Sequence, residues 1–281
     1  MNGFFNIYKP KGMTSSQVVG KIKYLLGRKI KVGHMGTLDP IASGVLPIAV
    51  GRATRLFDFL LQKKKTYIAT FQFGYITDTL DNTGAILDKT DKIPTLQELE
   101  NGLPNFLGIQ EQIPPQYSAK SVNGKRAYDM ARQGEYVELK PCKIEIFDIK
   151  VLKQLSIDTF ELSITCSAGT YIRSICRDLG IALSSMATMT DLVRTQSGIF
   201  QINDSVKLDD FDSNKILPIQ YVLNDYPILN ITQTQLKTLL DGKKLIMDNL
   251  TKDTYIVYCD ENIQCLCQVI DKVLKPITWL R

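Results

Sequence analysis

The residues with chemical potential cluster between Gly33 and Arg55, where GHMGTLDPIASGVLPIAVGRATR holds His34, the only histidine of the chain, and a single acid, Asp39. So apolar a stretch reads as core, yet core needs neither one carboxylate followed by proline nor the glycines Gly33, Gly36, Gly44 and Gly51. Glycine lets a backbone turn and come close to another group, and Pro40 biases Asp39 toward an extended conformation. The spacing therefore predicts a carboxylate that is held in place. A held aspartate serves as nucleophile or as base, and a neighbouring arginine favours its ionised form. The second informative motif, CSAGTYIRSICRDLG at 166–180, offers such an arginine. Gly169 makes a turn there, and Thr170 is predicted to cap a helix whose Ile172, Ile175, Leu179 and Leu183 line one face. That spacing puts Arg173 and Arg177 together on the opposite side. An arginine in a first helical turn opposes the macrodipole, which argues that Arg173 is paired with something negative.

Tyr67 and Tyr171 fall near strand ends, where their rings could stack on a base lifted out of nucleic acid. Asp78 and Asp81 in TDTLDNTG read as acids bonding local amides in the turn of Asn82, Thr83 and Gly84, which leaves no second carboxylate for paired acid–base work. The sequence has no Ser/His/Asp set, phosphate-cradling loop or dinucleotide fingerprint. These features allow an RNA-modifying enzyme that works without a cofactor.

The chain of 281 residues is long enough for one large domain and a small one. No apolar run approaches the roughly 20 residues that span a bilayer, and MNGFFNIYKPKGMTSS lacks the apolar core of a signal peptide. A cytoplasmic protein without membrane contact is expected, with Cys142, Cys166, Cys176, Cys259, Cys265 and Cys267 as reduced thiols. With no CxxC pair and one histidine, no metal site is expected, and alternation makes Cys265 and Cys267 small core residues on one sheet face. The net charge of +5 hides an asymmetry: residues 1 to 67 carry nine Lys and three Arg against only Asp39 and Asp58. Such a front suits a polyanion, although a solvated basic face accounts for it as well.

Positioning these residues takes both periodicities. Phe4 to Tyr8 reads as a strand, and Thr14 or Ser15 as the cap of a helix with Val18, Val19, Ile22, Leu25 and Leu26 on one face. Thr54 to Leu61 reads as a turn or two of helix. Lys65 to Gly74 alternates as a strand with Tyr67, Ala69, Phe71 and Phe73 on one face against Ile68, Thr70 and Gln72. A helix and exit turn are predicted for Thr95 to Leu107. Residues 108–141, with a short helix in GKRAYDMARQGE, read as an arm that leaves the sheet and returns. Strands resume at Ile144–Leu152 and Thr159–Cys166, and SGIFQI is a further candidate. Pro218–Pro227 reads as a linker to a small module with a helix at Thr234–Leu240 and strands at Tyr255–Cys259 and Cys265–Ile270.

The stretch from Gly33 to Arg55 resembles the catalytic signature of the bacterial tRNA pseudouridine-55 synthases, the TruB family. Similar too are KPKGMTS at 9–15, KKTYIATFQFG at 64–74, TDTLDNTG at 77–84, PPQYSAKSVNGKRAY at 114–128, the 166–180 motif and LVRTQSGIF. The match runs in order through the first 220 residues, and the tail resembles a PUA-type RNA-binding module more loosely. The resemblance implies an α/β fold of the α+β type: a central mixed, largely antiparallel sheet flanked by helices, with an inserted RNA-binding arm. It divides the chain into a catalytic domain at 1–220 and a PUA-like domain at 226–281.

It further implies isomerisation of one uridine, U55, in the TΨC loop of tRNA. The N1–C1′ bond is cut, the uracil turns, and C5 bonds to C1′, with no cofactor and no metal. Asp39 matches the family's essential aspartate, by a covalent or an elimination route, and Arg173 the arginine paired with it. Tyr67 matches the aromatic that stacks on the flipped base and handles a proton. His34, which by itself reads as structural, matches the histidine that fills or braces the vacated place. Tyr171 and Leu192 match pocket-lining positions, and Lys9 a lysine near the site. Phosphate contacts are expected from Lys63, Lys64, Lys65, Arg126 and the arm. Ala168 stands where the family often has lysine, and Met35 where a small residue is more usual. The partner implied is the T-arm of tRNA, bound by a monomer with no obligate protein partner. The alternatives are a tRNA chaperone that remodels the T-loop and a guide-RNA-dependent rRNA pseudouridine synthase.

Overall fold

A computed structural model describes residues 1–118, 121–122, 125–126, 130 and 137–281. Alternating apolar residues build most of its strands: β1 (Gly3–Lys9), β2 (Val32–His34), β3 (Ser43–Val50), β4 (Lys65–Phe73), β5 (Tyr75–Thr77), β6 (Ile86–Lys89), β7 (Gly108–Gln112), and the pairs β8 (Ser121–Val122) and β9 (Lys125–Arg126). They continue with β10 (Cys142–Gln154), β11 (Thr159–Cys166), β12 (Ala187–Ser197), β13 (Phe200–Gln201) and β14 (Val206–Lys207). The large sheet runs β14-β1-β3-β12-β4-β11-β10-β7, with β2 on β3 and β13 on β12. Its pairs are antiparallel except β1 with β14 and β3 with β12. The face of β4 that its alternation sets apart is the inward one, since Ala69, Phe71 and Phe73 are buried.

Helices cover the sheet: α1 (Ser15–Leu25), α2 (Phe57–Leu61), α3 (Leu96–Gly102) and α4 (Ile172–Ala182). The first is set by a capping box, in which the Thr14 hydroxyl accepts from the Gln17 amide and the Gln17 side chain accepts from the Thr14 amide, a device worth about 1 kcal/mol. Val18 and Ile22 bury against the sheet, whereas Leu25, expected on the same face, is exposed. On the other face Ile172, Ile175 and Leu179 of α4 and Leu99 of α3 join Phe71, Phe73, Phe160 and Ile164 in one core.

Several expectations change. Gly108–Gln112, assigned to the arm, is the edge strand β7 of the main sheet, paired with β10. Its GIQEQ sequence is too polar to show alternation, but an edge strand buries little and is held by ladder hydrogen bonds. Lys125–Arg126, in the segment read as a short helix, forms a two-residue strand with Ser121–Val122, and most of GKRAYDMARQGE lies outside the described residues. Ala187–Ser197, unread in the sequence, is a central strand. Pro218–Pro227 is not a plain linker, because it contains α5 (Ile219–Leu223).

The C-terminal strands are β15 (Ile228–Asn230), β16 (Leu245–Ile246), β17 (Thr254–Cys259), β18 (Asn262–Ile270) and β19 (Val273–Trp279), with the helix α6 (Gln233–Leu240). They form a five-stranded sheet in the order β15-β17-β18-β19-β16. Cys265 and Cys267 bury together on one face, as expected. Leu266, between them, points the other way into a core with Ile256, Leu280, Val222 of α5, and Phe4, Met35 and Phe200 of the large domain. The small module is therefore packed onto the large one. Among the described residues no helix is long and apolar enough to cross a membrane.

Candidate active site

Asp39 lies in the loop between β2 and β3, and its neighbours are all tied down. The Leu38 amide donates to Ser15 Oγ at 2.9 Å, and Ser15 Oγ donates to the Leu38 carbonyl at 3.1 Å. The Pro40 carbonyl accepts from the Gly12 amide at 2.8 Å. Lys9 Nζ, fully buried, donates to the carbonyls of Pro10, Met13 and, at 3.5 Å, Pro40. Below the loop Arg194 donates to Val45 O at 2.7 Å, Gly36 O at 3.0 Å and Thr37 O at 3.2 Å. The predicted held carboxylate is thus explained by bonds on both sides of it.

Sheet register brings the parts abreast. Arg194 of β12 sits opposite Gly44 of the parallel β3 and opposite Tyr67 of the antiparallel β4. Strand direction changes at this point in the sheet, since β12 is parallel to β3 and antiparallel to β4. Gly44 has φ +102°, and a Cβ there would meet Arg194 O at 2.3 Å, so only glycine lets these two strands meet.

Arg173 reaches Asp39 across this gap, with Nη2 to Oδ2 at 2.8 Å. Asp39 keeps 35% of its side chain exposed while the arginine keeps 7%, so the carboxylate faces open space and the guanidinium backs it. Arg173 also donates to Thr79 O at 2.9 Å and Tyr117 O at 3.0 Å, and a second carboxylate, Asp81, lies at 3.5 Å. The pairing inferred from the helix dipole is present. Arg173 and Arg177, four apart on α4, do share one side of it as expected, both reaching the 113–117 segment through Tyr117 O and Ile113 O, but Arg173 does not face solvent there. Nor does Thr170 cap the helix: Tyr171 is the N-cap and no side chain of its own serves it.

Asp39, Arg173, Tyr67, Tyr171 and Leu192 line one cavity of about 450 Å³ together with Lys65 and Arg194. Tyr67 is buried, which pushes its phenol up to about 12 against the opposing pull of Arg194, whose guanidinium contacts the hydroxyl. Burial also raises Tyr171. Lys9 and Lys65 are both pushed down to about 8, chiefly by burial, with the Asp39 charge opposing this at Lys9. Lys65 is no surface phosphate contact: its Nζ donates to Leu61 O and Lys63 O, each at 2.8 Å.

His34 lines a neighbouring cavity of about 400 Å³ with Lys31 and Phe57, and Phe57 forms part of both walls. Its Nδ1 is buried without a hydrogen-bond partner among the described residues, and burial followed by the Arg194 charge lowers its basicity. Lys64 stands apart, its Nζ 3.6 Å from the centre of the Phe147 ring. The Arg126 side chain lies outside the described residues. Met35 fills core space, and its amide bonds Pro47 O at 2.8 Å. No group of His, Cys, Asp and Glu among the described residues is arranged to hold a metal ion.

Sequence reasoning missed Arg194, Asp81 and the buried Lys65. The signal for Lys65 was its parity with Tyr67 and Ala69 on one strand face. Asp81 does make the expected turn bonds, accepting from Thr79 Oγ1 and the Thr83 amide at Oδ1, but its other oxygen faces Arg173. Nothing local marks that second role.

Residues 23–172 match the family model described as TruB family pseudouridylate synthase (N terminal domain), and residues 173–224 that described as tRNA pseudouridylate synthase B C-terminal domain. Similar curated proteins, each named tRNA pseudouridine synthase B, include those of Clostridium novyi (41% identical over 271 residues, 93% of each chain), Rickettsia akari (41% over 255 residues, 88% of this chain and 87% of that one) and Clostridium tetani (42% over 290 residues, all of both). In fold the chain is similar to a chain of a Cbf5-Nop10-Gar1 complex, with a TM-score of 0.73 at 23% identity over 99% of this chain and 85% of that one.

Proposed function

The chain belongs to the TruB family of tRNA pseudouridine synthases, and on that premise we propose that it isomerises uridine 55 in the TΨC loop, unaided by a cofactor, with Asp39 as the reacting group. The observation that carries this reading is the 2.8 Å pair of Asp39 and Arg173 at the wall of a cavity of base size. The uridine is flipped out of the T-loop into that cavity, between Tyr67 and Leu192. Unstacking costs a few kcal/mol, offset by phosphate contacts of basic residues including Lys64 and Arg126. Asp39, held by the bonds of residues 36–40, acts at the ribose or base while N1–C1′ breaks. Arg173 keeps it aimed. The uracil turns, C5 bonds to C1′, the C5 proton leaves and N1 gains one.

Substrate and product have the same atoms, so the chemistry calls for no redox partner and no water. The Tyr67 hydroxyl, pushed up to about 12, stays protonated near neutral pH and can donate or relay the proton that moves. His34 braces the gap left by the base, Tyr171 lines the pocket, and Lys9 holds the Asp39 loop. Residues 1–220 carry the reaction, and residues 226–281 add RNA contacts as a PUA-like domain.

The test is tritium release from a tRNA transcript labelled at uracil C5. Release is expected from wild type, is lost with Asp39→Asn, and is lost when the transcript carries cytidine at position 55. Equal release by both proteins would overturn the role of Asp39. Release that ignores position 55 would overturn the site assignment, and tight binding without release would leave a tRNA chaperone.

A further inference from the structure

The helix that delivers Arg173 starts without a cap of its own, and its start is held from outside. Gln112, the last residue of β7, is only 2% exposed. Its Oε1 accepts from the Tyr171 amide at 2.8 Å and its Nε2 donates to the Tyr171 carbonyl at 3.1 Å. One side chain thus gives the Tyr171 peptide both bonds that a neighbouring strand would give it. The chain beyond Gln112 continues along the same turn: Ile113 O accepts from Ser174 Oγ at 2.9 Å and from Arg177 Nη2 at 3.0 Å. Tyr117 O then accepts from the same Arg173 Nη2 that meets Asp39.

We propose that Gln112 is a positioning residue for the reaction, clamping the Tyr171 peptide so that the Tyr171 ring and the Arg173 guanidinium stand where the base and Asp39 need them. It acts through the backbone of Tyr171 and touches no substrate. Only an amide fits this role. A carboxylate accepts from the Tyr171 amide but cannot donate to its carbonyl, and an apolar chain does neither. The inference rests on reading Asp39 and Arg173 as the reacting pair, because a clamp on that helix affects rate only if the helix delivers a reacting group. Small displacements of such a group are costly, with about 1 Å worth on the order of 100-fold.

Gln112→Met keeps length and volume and removes both bonds. Its single-turnover tritium release is expected to fall about 10- to 100-fold, while its Kd for tRNA stays within about twofold, because the loss is felt in the transition state. A glutamine of merely structural value would lower the melting temperature and leave the rate of the folded fraction unchanged, and that result overturns the inference. Gln112→Glu, which retains the acceptor half, gives the same test if the Met variant does not fold, and is expected to lose rate at unchanged Kd. Wild type that releases no tritium would overturn the underlying reading. Active wild type with an equally fast Gln112→Met overturns the inference alone.

Discussion

The two walls of the cavity are held by opposite means. The wall with Asp39 is pinned by buried cations, Arg194 on the carbonyls of Gly36 and Thr37, and Lys9 on those of Met13 and Pro40. The facing wall, at the start of α4, is pinned by neutral groups: the Gln112 amide and the carbonyls of Ile113 and Tyr117. Among the described residues Arg194 is paired with no carboxylate. Its charge is answered by carbonyl dipoles and the Tyr67 hydroxyl, so the acid lies over a positive floor. Desolvated charge is expensive and, where lysine carries it, open to titration. The facing wall also holds a buried cation, Arg173, but that one is paired with Asp39 and Asp81 and is not a lysine, so raising the pH separates the two.

The largest effect is expected at the point where the walls meet. On the proposed mechanism, Asp39→Asn preserves shape and removes the carboxylate, so turnover should fall on the order of 10³-fold or more, with melting temperature little changed. Next is Arg194→Met, which strands the buried carbonyls of Val45 and Gly36 and releases that of Thr37, and should cost about 3 kcal/mol of stability in denaturant unfolding; a cost below about 1 kcal/mol would mean that the loop is held by something else. On the other wall, Asp81→Asn keeps the turn acceptor at Thr79 and Thr83 while removing one negative partner of Arg173. Single-turnover release should drop about tenfold at unchanged Kd, and an unchanged rate would confine Asp81 to its turn.

The smallest effect is the pH response. Lys9 and Lys65 titrate at about 8 when folded, against an ordinary value of 10.5. Above pH 8 the unfolded chain then holds more protons, and stability rises with pH. Cys166, raised to about 11 from 9.0, with Cys176, Cys259 and Cys267 raised likewise, and Tyr67, raised to about 12 from 10.0, have the opposite sign, the thiols beginning to act as pH nears 9 and Tyr67 as it nears 10. Unfolding free energy should therefore climb between about pH 8 and 9, by on the order of 1 kcal/mol per lysine, and Lys9→Met should climb less. Identical slopes in the two proteins would show that the buried cation wall is not what titrates.

What could be read from the sequence follows the range of the interactions. The β4 alternation exposed Tyr67, the Pro after Asp39 exposed a fixed acid, and the unfavourable dipole position of Arg173 exposed its need for an anion. Each is a local signal. Arg194, Asp81 and Gln112 carry none, because their partners come from distant strands and loops: Arg194 meets Gly36, Asp81 meets Arg173, Gln112 meets Tyr171. The strand that carries Arg194 was itself hidden, since ATMTDLVRTQS mixes polar and apolar residues too evenly to alternate. In the small module Val273–Trp279 escaped in the same way, interrupted by Lys275 and Pro276.

The place of β12 between β3 and β4 also governs how the molecule is assembled. Synthesis delivers β1, β3, β4, β11, β10 and β7 before it, and without it β3 and β4 have no strand between them. Until β12 is made, the facing edges of β3 and β4 lack their partner, and β3 is buried along its whole length in the finished fold. Such edges invite pairing with other chains. One late segment closes both at once, and the same event first sets Arg194 beneath Asp39. A chain halted before residue 187 therefore lacks both the strand that joins the two half-sheets and the arginine beneath Asp39.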